Sequence, residues 1–223
     1  MEQSEIQPDD TFEDLYKATP LKRIIGHHLF DSNSFLYLSK IYLIVVPIVV
    51  LLILMSLRIG IFALLVSKAS FVPFAADQVA SFKQSNYLGI LLSAIPQVLV
   101  WAVLIYGLML LLGGKGKFLQ SVSIYSIAQI PLVIGLLLLL FVALAQPSVT
   151  IPTSIVDFEV FQAFNNAFFG YNLANNIIFP ITSLYSNIIA GIGLSAEHKV
   201  PALVGIIVGI MAFIASMVFS YLI

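Results

Sequence analysis

From Ile41 to Leu57 the chain carries no charged residue, and four further apolar stretches follow at about 88–112, 121–145, 176–195 and 201–222. A helix rises 1.5 Å per residue, so roughly 20 residues cross ~30 Å of hydrocarbon. Each stretch meets that length, the first once it is continued to about residue 67. Backbone groups in lipid must pair within the protein, which leaves helices or closed barrels, and no barrel-like alternation is visible. The fold expected is therefore all-α: a polytopic transmembrane bundle with five spans. The first span is read as one helix over about 40–67, running through Arg58. Composition agrees, with 60% hydrophobic and only 9% charged residues, against about 25% charged in a soluble domain. A chain so apolar needs lipid as part of its solvent, and the lipid bilayer is its first partner.

The chain divides into an acidic tail (1–18), an amphipathic interfacial segment (19–33) and the transmembrane domain (34–223). The tail holds Glu2, Glu5, Asp9, Asp10, Glu13 and Asp14 against Lys17 and reads as solvated. Its polar, acidic start predicts no cleaved signal peptide. Thr19-Pro20 has the pattern of a cap followed by proline at the first helical position. Leu21, Ile24, Ile25 and Leu29 then share one face, as in a helix lying on a membrane surface. Lys17, Lys22, Arg23, Lys40, Lys115, Lys117 and Lys199 gather on one side of the five-span arrangement, and Lys68 and Lys83 on the other. By the positive-inside rule the amino terminus is cytoplasmic and the carboxyl terminus outside. A multi-pass protein of a prokaryotic cell membrane is the location this suggests.

Several classes of chemistry are disfavoured. Without cysteine, disulfides and thiolate sites are excluded. A net charge of −1 gives no reason to expect nucleic acid. His27, His28 and His198 fall outside the spans, and no carboxylate falls inside one. Proton relays and metal enzymes need ionisable groups at depth, so a non-enzymatic protein without metal or cofactor is expected.

The turn Gly113-Gly114-Lys115-Gly116-Lys117 lacks the spacing and hydroxyl of a nucleotide loop. It reads either as a plain topogenic hairpin or as a docking or lipid-contact turn. Each lysine would be worth about 1 kcal/mol on an anionic membrane. Gln97, Gln129 and Asn187 form a candidate intramembrane polar cluster. Such amides serve as helix glue, worth about 0.6–2 kcal/mol, or line a cavity. Ser183, Asn187, Gly191 and Ser195 make a small-residue stripe, and Gly205 and Gly209 make a GxxxG pair that Ala212 and Ser216 extend. Small stripes let helices approach closely, here as a hairpin through Ala196–Val200, and the same stripe could serve a homo-oligomer. Pro47, Pro96, Pro131 and Pro180 are candidate kinks. Arg58 is expected to snorkel to the outer surface. Ser154 and Asp157 have capping-box spacing, and Phe158, Phe161, Phe164 and Phe168 form an aromatic stripe suited either to the outer interface or to packing on the bundle.

Gly113-Gly114-Lys115-Gly116-Lys117-Phe118, followed by Tyr125-Ser126-Ile127-Ala128 and Pro131, resembles the signature of the Yip (Ypt/Rab-interacting) membrane protein family. Ile192-Gly193-Leu194-Ser195, with Lys199 and Ala202, also fits. The resemblance implies five spans, a cytoplasmic amino terminus and a role as a membrane adaptor or organiser with a protein partner on the cytoplasmic face. Eukaryotic members act in vesicle trafficking and bind prenylated small GTPases through a region carrying Asp-Leu-Tyr-Gly. Here Asp14-Leu15-Tyr16 is followed by Lys17, so GTPase binding is not carried over, and the compact form is similar to the prokaryotic members. The alternative is a channel or permease for a small neutral solute, lined by Gln97, Gln129, Asn187 and Arg58.

Overall fold

The computed structural model describes residues 44–72, 76–152 and 157–222. Among them the chain forms α1 (Val45–Ser67), β1 (Ala69–Val72), α2 (Ala76–Leu111), α3 (Phe118–Ile127), α4 (Ile130–Ala145), β2 (Val149–Pro152), α5 (Asp157–Ala167), α6 (Phe169–His198) and α7 (Ala202–Leu222). The acidic tail, the segment 19–33 with His27 and His28, and Ser154 lie outside the described residues. So do the side chains of Pro96, Gln97, Asp157 and Phe158.

The molecule is an all-α membrane protein with one small addition. Three helical stretches are long and apolar enough to cross a bilayer: Val45–Ser67, Phe118–Ala145 and Phe169–His198. Leu99–Leu111 within α2 and Ala202–Val218 within α7 are shorter apolar segments. α1 runs unbroken through Arg58. Pro47 falls in its first turn, where backbone N–H groups have no intrahelical partner to lose.

The stretch Phe118–Ala145 is two helices. α3 ends at Ile127, and Ala128 and Gln129 make a turn before α4 starts with Pro131 near its first position. Proline has no N–H for the carbonyl four residues back, and its ring crowds that carbonyl. Pro180, by contrast, lies inside an α6 that remains helical through it.

Two boundaries differ from the expected spans. α2 begins at Ala76 and α6 at Phe169, each well ahead of its apolar run. In α6 the added turns hold Asn172, Asn175 and Asn176. Asparagine competes for its own backbone and reads as loop. Here the Asn172 amide donates to the Asn165 carbonyl at 2.5 Å, tying α6 to α5.

The strands were not expected. β1 and β2 pair in parallel, Ala69 opposite Val149 through Val72 opposite Pro152. They hold Phe71, Val72, Val149 and Ile151, types that suit a pleated, half-buried surface, and Ile151 is fully buried. Four residues are too few for periodicity to announce a strand. Lys68, just after α1, donates to the carbonyls of Leu144 and Gln146 at 2.5 Å each. A cation thereby closes the C-terminal end of α4, where the helix dipole favours it.

The ends of the bundle therefore differ. β1 and β2 gather the C-terminal ends of α1 and α4 at one end, and the turn between α2 and α3 meets the C-terminus of α6 at the other. α3 packs against α1, α2 and α6, and every residue from Gln120 to Ile127 is buried. α6 is the hub and packs most extensively on α7.

Candidate functional site

The glycine-lysine turn closes over the end of α6. Gly113 has φ +87°, a left-handed conformation that glycine adopts without a Cβ clash. Gly114 and Gly116 are small for a different reason. A Cβ on Gly114 would stand 2.6 Å from His198 Nδ1, and one on Gly116 would stand 2.5 Å from His198 Cδ2. The imidazole lies where those side chains would be, and His198 is 1% exposed.

Hydrogen bonds hold the ring in place. The Gly116 N–H donates to His198 Nδ1 at 3.2 Å, and the Lys115 N–H donates to the His198 carbonyl at 3.2 Å. With Nδ1 accepting, Nε2 of the neutral ring carries the proton. It then donates to Ser121 Oγ, 3.0 Å away, whose hydroxyl donates to the Lys117 carbonyl at 3.0 Å. Tyr106 meets the ring edge to face at 5.5 Å. Glu197 accepts from the Lys117 N–H at 3.2 Å, which puts a carboxylate at the positive end of α3.

The α6 end is itself locally determined. Val200 N–H bonds the Ser195 carbonyl and Lys199 N–H the Ala196 carbonyl, the paired bonds of a Schellman ending. Lys199 takes the left-handed position at φ 56° and Pro201 follows. Lys115, Lys117 and Lys199 are all exposed, so three ammonium groups surround a sealed histidine. The sequence reading singled out the lysines and missed His198, Glu197 and Ser121. Their only trace was three glycines in five residues, a density that one tight turn does not require.

The polar interior is arranged helix by helix. Gln129 is buried and donates to the Tyr125 carbonyl of its own helical segment at 3.4 Å. Asn187 is buried and donates to the Ser183 carbonyl at 2.8 Å. The side chain of Gln97 lies outside the described residues.

The α6–α7 seam is a backbone contact. A Cβ on Gly191 would collide with the Gly205 carbonyl, one on Gly205 with the Gly191 carbonyl, and one on Gly209 with the Asn187 carbonyl. Ser183, on the same stripe, is buried. A similar approach joins α4 to α6, where a Cβ on Gly135 would stand 2.7 Å from Thr182 Oγ1.

Arg58 is half-buried in the wall of the bundle. It lines a cavity of about 400 Å³ bounded by α1, α2, α4, α5 and α6. Its guanidinium carbon lies 5.7 Å from the centre of the Phe179 ring, and this cation–aromatic contact draws it inward. The aromatic stripe divides as well. Phe164 and Phe168 are buried beside one another, with ring centroids 5.0 Å apart, whereas Phe161 is 43% exposed.

Comparison with curated proteins and with solved structures yields no match. Comparison with protein families gives one, the Yip1 domain, over residues 35–223. That range holds the latched turn, the glycine seam and the Arg58 cavity, and so most of the chain: the protein belongs to the Yip1 domain family.

Proposed function

We propose that this protein is a non-enzymatic, five-span membrane adaptor of the Yip type that engages a protein partner through the Gly113–Lys117 turn on its cytoplasmic face. The observation that carries the reading is the latch. His198 holds the turn in one shape while Lys115, Lys117 and Lys199 stay exposed around it. A surface held rigid before contact loses little conformational freedom on binding. Lysines steer an acidic partner and discriminate among partners by charge. The partner is an acidic segment of another membrane-associated protein. A prenylated GTPase is not assigned, because Lys17 stands where the family's amino-terminal motif has glycine. The amides of Gln129 and Asn187 are engaged by carbonyls of their own helical segments, and nothing there favours a solute path.

The test is site-specific photocrosslinking in native membranes from position 119, which is exposed beside the turn. The reading expects discrete crosslinked proteins that disappear when Lys115→Ala and Lys117→Ala are combined. A crosslinking pattern unchanged by that double substitution overturns it. Crosslinks to lipid alone would recast the turn as a membrane-surface contact.

A further inference from the structure

The Arg58 cavity lies near the end of the bundle opposite the latched turn. Along α1 it extends from Arg58 to Leu65, about 10 Å of helix, and reaches within one turn of the helix end at Ser67. Its wall combines three kinds of group. Arg58 supplies a permanent positive charge. Asn165, Asn175 and Tyr171 supply neutral polar groups. Phe161 and Phe164 supply apolar faces, and Phe161 is itself 43% exposed.

Among the described residues, nothing of opposite charge meets the guanidinium. No carboxylate lines the cavity among the described residues, and the guanidinium makes no hydrogen bond to a described residue. The Phe179 ring eases the charge without neutralising it. Guanidinium cannot shed its proton in a protein, and a charge in a low-dielectric wall favours an anionic partner beside it. Its planar fork favours oxyanions, phosphate above all, in a two-bond geometry. An anion that is also amphiphilic would satisfy the rest of the wall, with polar groups meeting the asparagines and chains lying along the exposed aromatic and aliphatic flank.

We propose that this cavity is a binding site for the phosphate headgroup of an anionic phospholipid, with Arg58 as its principal ligand. The headgroup enters from the leaflet at the β1–β2 end, and its acyl chains rest on the apolar surface beside Phe161. About 400 Å³ lies within the usual range for small-molecule sites.

The test uses the full chain, purified in neutral detergent and titrated with phosphatidylglycerol, phosphatidylcholine or inorganic phosphate while thermal unfolding is followed. Phosphatidylglycerol is expected to raise Tm saturably, with phosphatidylcholine at least tenfold weaker and phosphate alone inactive. Arg58→Gln should abolish the response and Arg58→Lys should retain part of it. If Arg58→Gln does not fold, Asn175→Leu keeps the charge and should still weaken phosphatidylglycerol at least threefold. Lys115→Ala with Lys117→Ala, at the far end, should leave the response intact. An equal response to phosphatidylcholine, or a phosphatidylglycerol response that survives Arg58→Gln and Asn175→Leu, overturns the proposal. A response to inorganic phosphate equal to that of the lipid overturns the lipid assignment.

Discussion

The imidazole of His198 occupies the space that side chains at 114 and 116 would need, and this makes the turn and the histidine one unit. A methyl group at 116 would stand 2.5 Å from the ring, so Gly116→Ala should cost roughly 1–3 kcal/mol through overpacking. His198→Ala leaves the Gly116 N–H and Ser121 without their partner, a loss of about 1–3 kcal/mol. The two effects should not add. Once the ring is gone, the extra methyl has room, so Gly116→Ala should cost far less in the His198→Ala background. Thermal unfolding of the four proteins in one detergent measures the coupling, expected at about 0.5–3 kcal/mol. Strict additivity would show that the glycine serves backbone conformation alone.

Between elements, the controlling feature is backbone contact along α6 and α7. In lipid, apolar burial does little to hold two helices together, and close packing of small residues takes over. Gly205→Ala directs a methyl group onto the Gly191 carbonyl and should lower stability by about 1–3 kcal/mol. Gly107, within α2, has nothing within 4 Å of its would-be Cβ. Gly107→Ala should therefore raise stability by roughly 0.5–1 kcal/mol, the ordinary advantage of alanine in a helix interior. Unfolding of the two variants side by side checks both signs. Equal destabilisation would mean that α6 and α7 are not held by the seam. The GxxxG spacing was legible along the chain because a helix repeats its face every three to four residues. The break between α3 and α4 was legible only as a proline, since proline alone does not distinguish a helix that continues through it, as α6 does at Pro180, from a stop.

For the whole molecule, the two ends are chemically different, and a membrane reads that difference. Lys115, Lys117 and Lys199 crowd the latched end, while Lys68 at the strand end is spent on carbonyls of Leu144 and Gln146. Positive-inside bias then predicts that the latched end faces the cytoplasm. The chain has no cysteine, so single cysteines report without background. Lys117→Cys should react with an impermeant maleimide only in inside-out vesicles, and Gln84→Cys, near the start of α2, only in right-side-out ones. Labelling of both from one side would end the five-span reading, because an odd number of crossings between them would be lost.

The sequence alone determined that this chain lives in a bilayer as helices, where the apolar stretches lie, and which small residues share a face. Those are properties of neighbours along the chain, set by length, hydropathy and the 3.6-residue repeat. Tertiary structure decided the rest. It brought His198 to a turn more than 80 residues earlier, paired two four-residue strands across 76 intervening residues, and set Arg58 in the wall of a cavity with side chains from distant helices. Each of these depends on which groups from distant segments meet once lipid has forced every backbone polar atom to find its partner inside the protein. No local pattern carries that information.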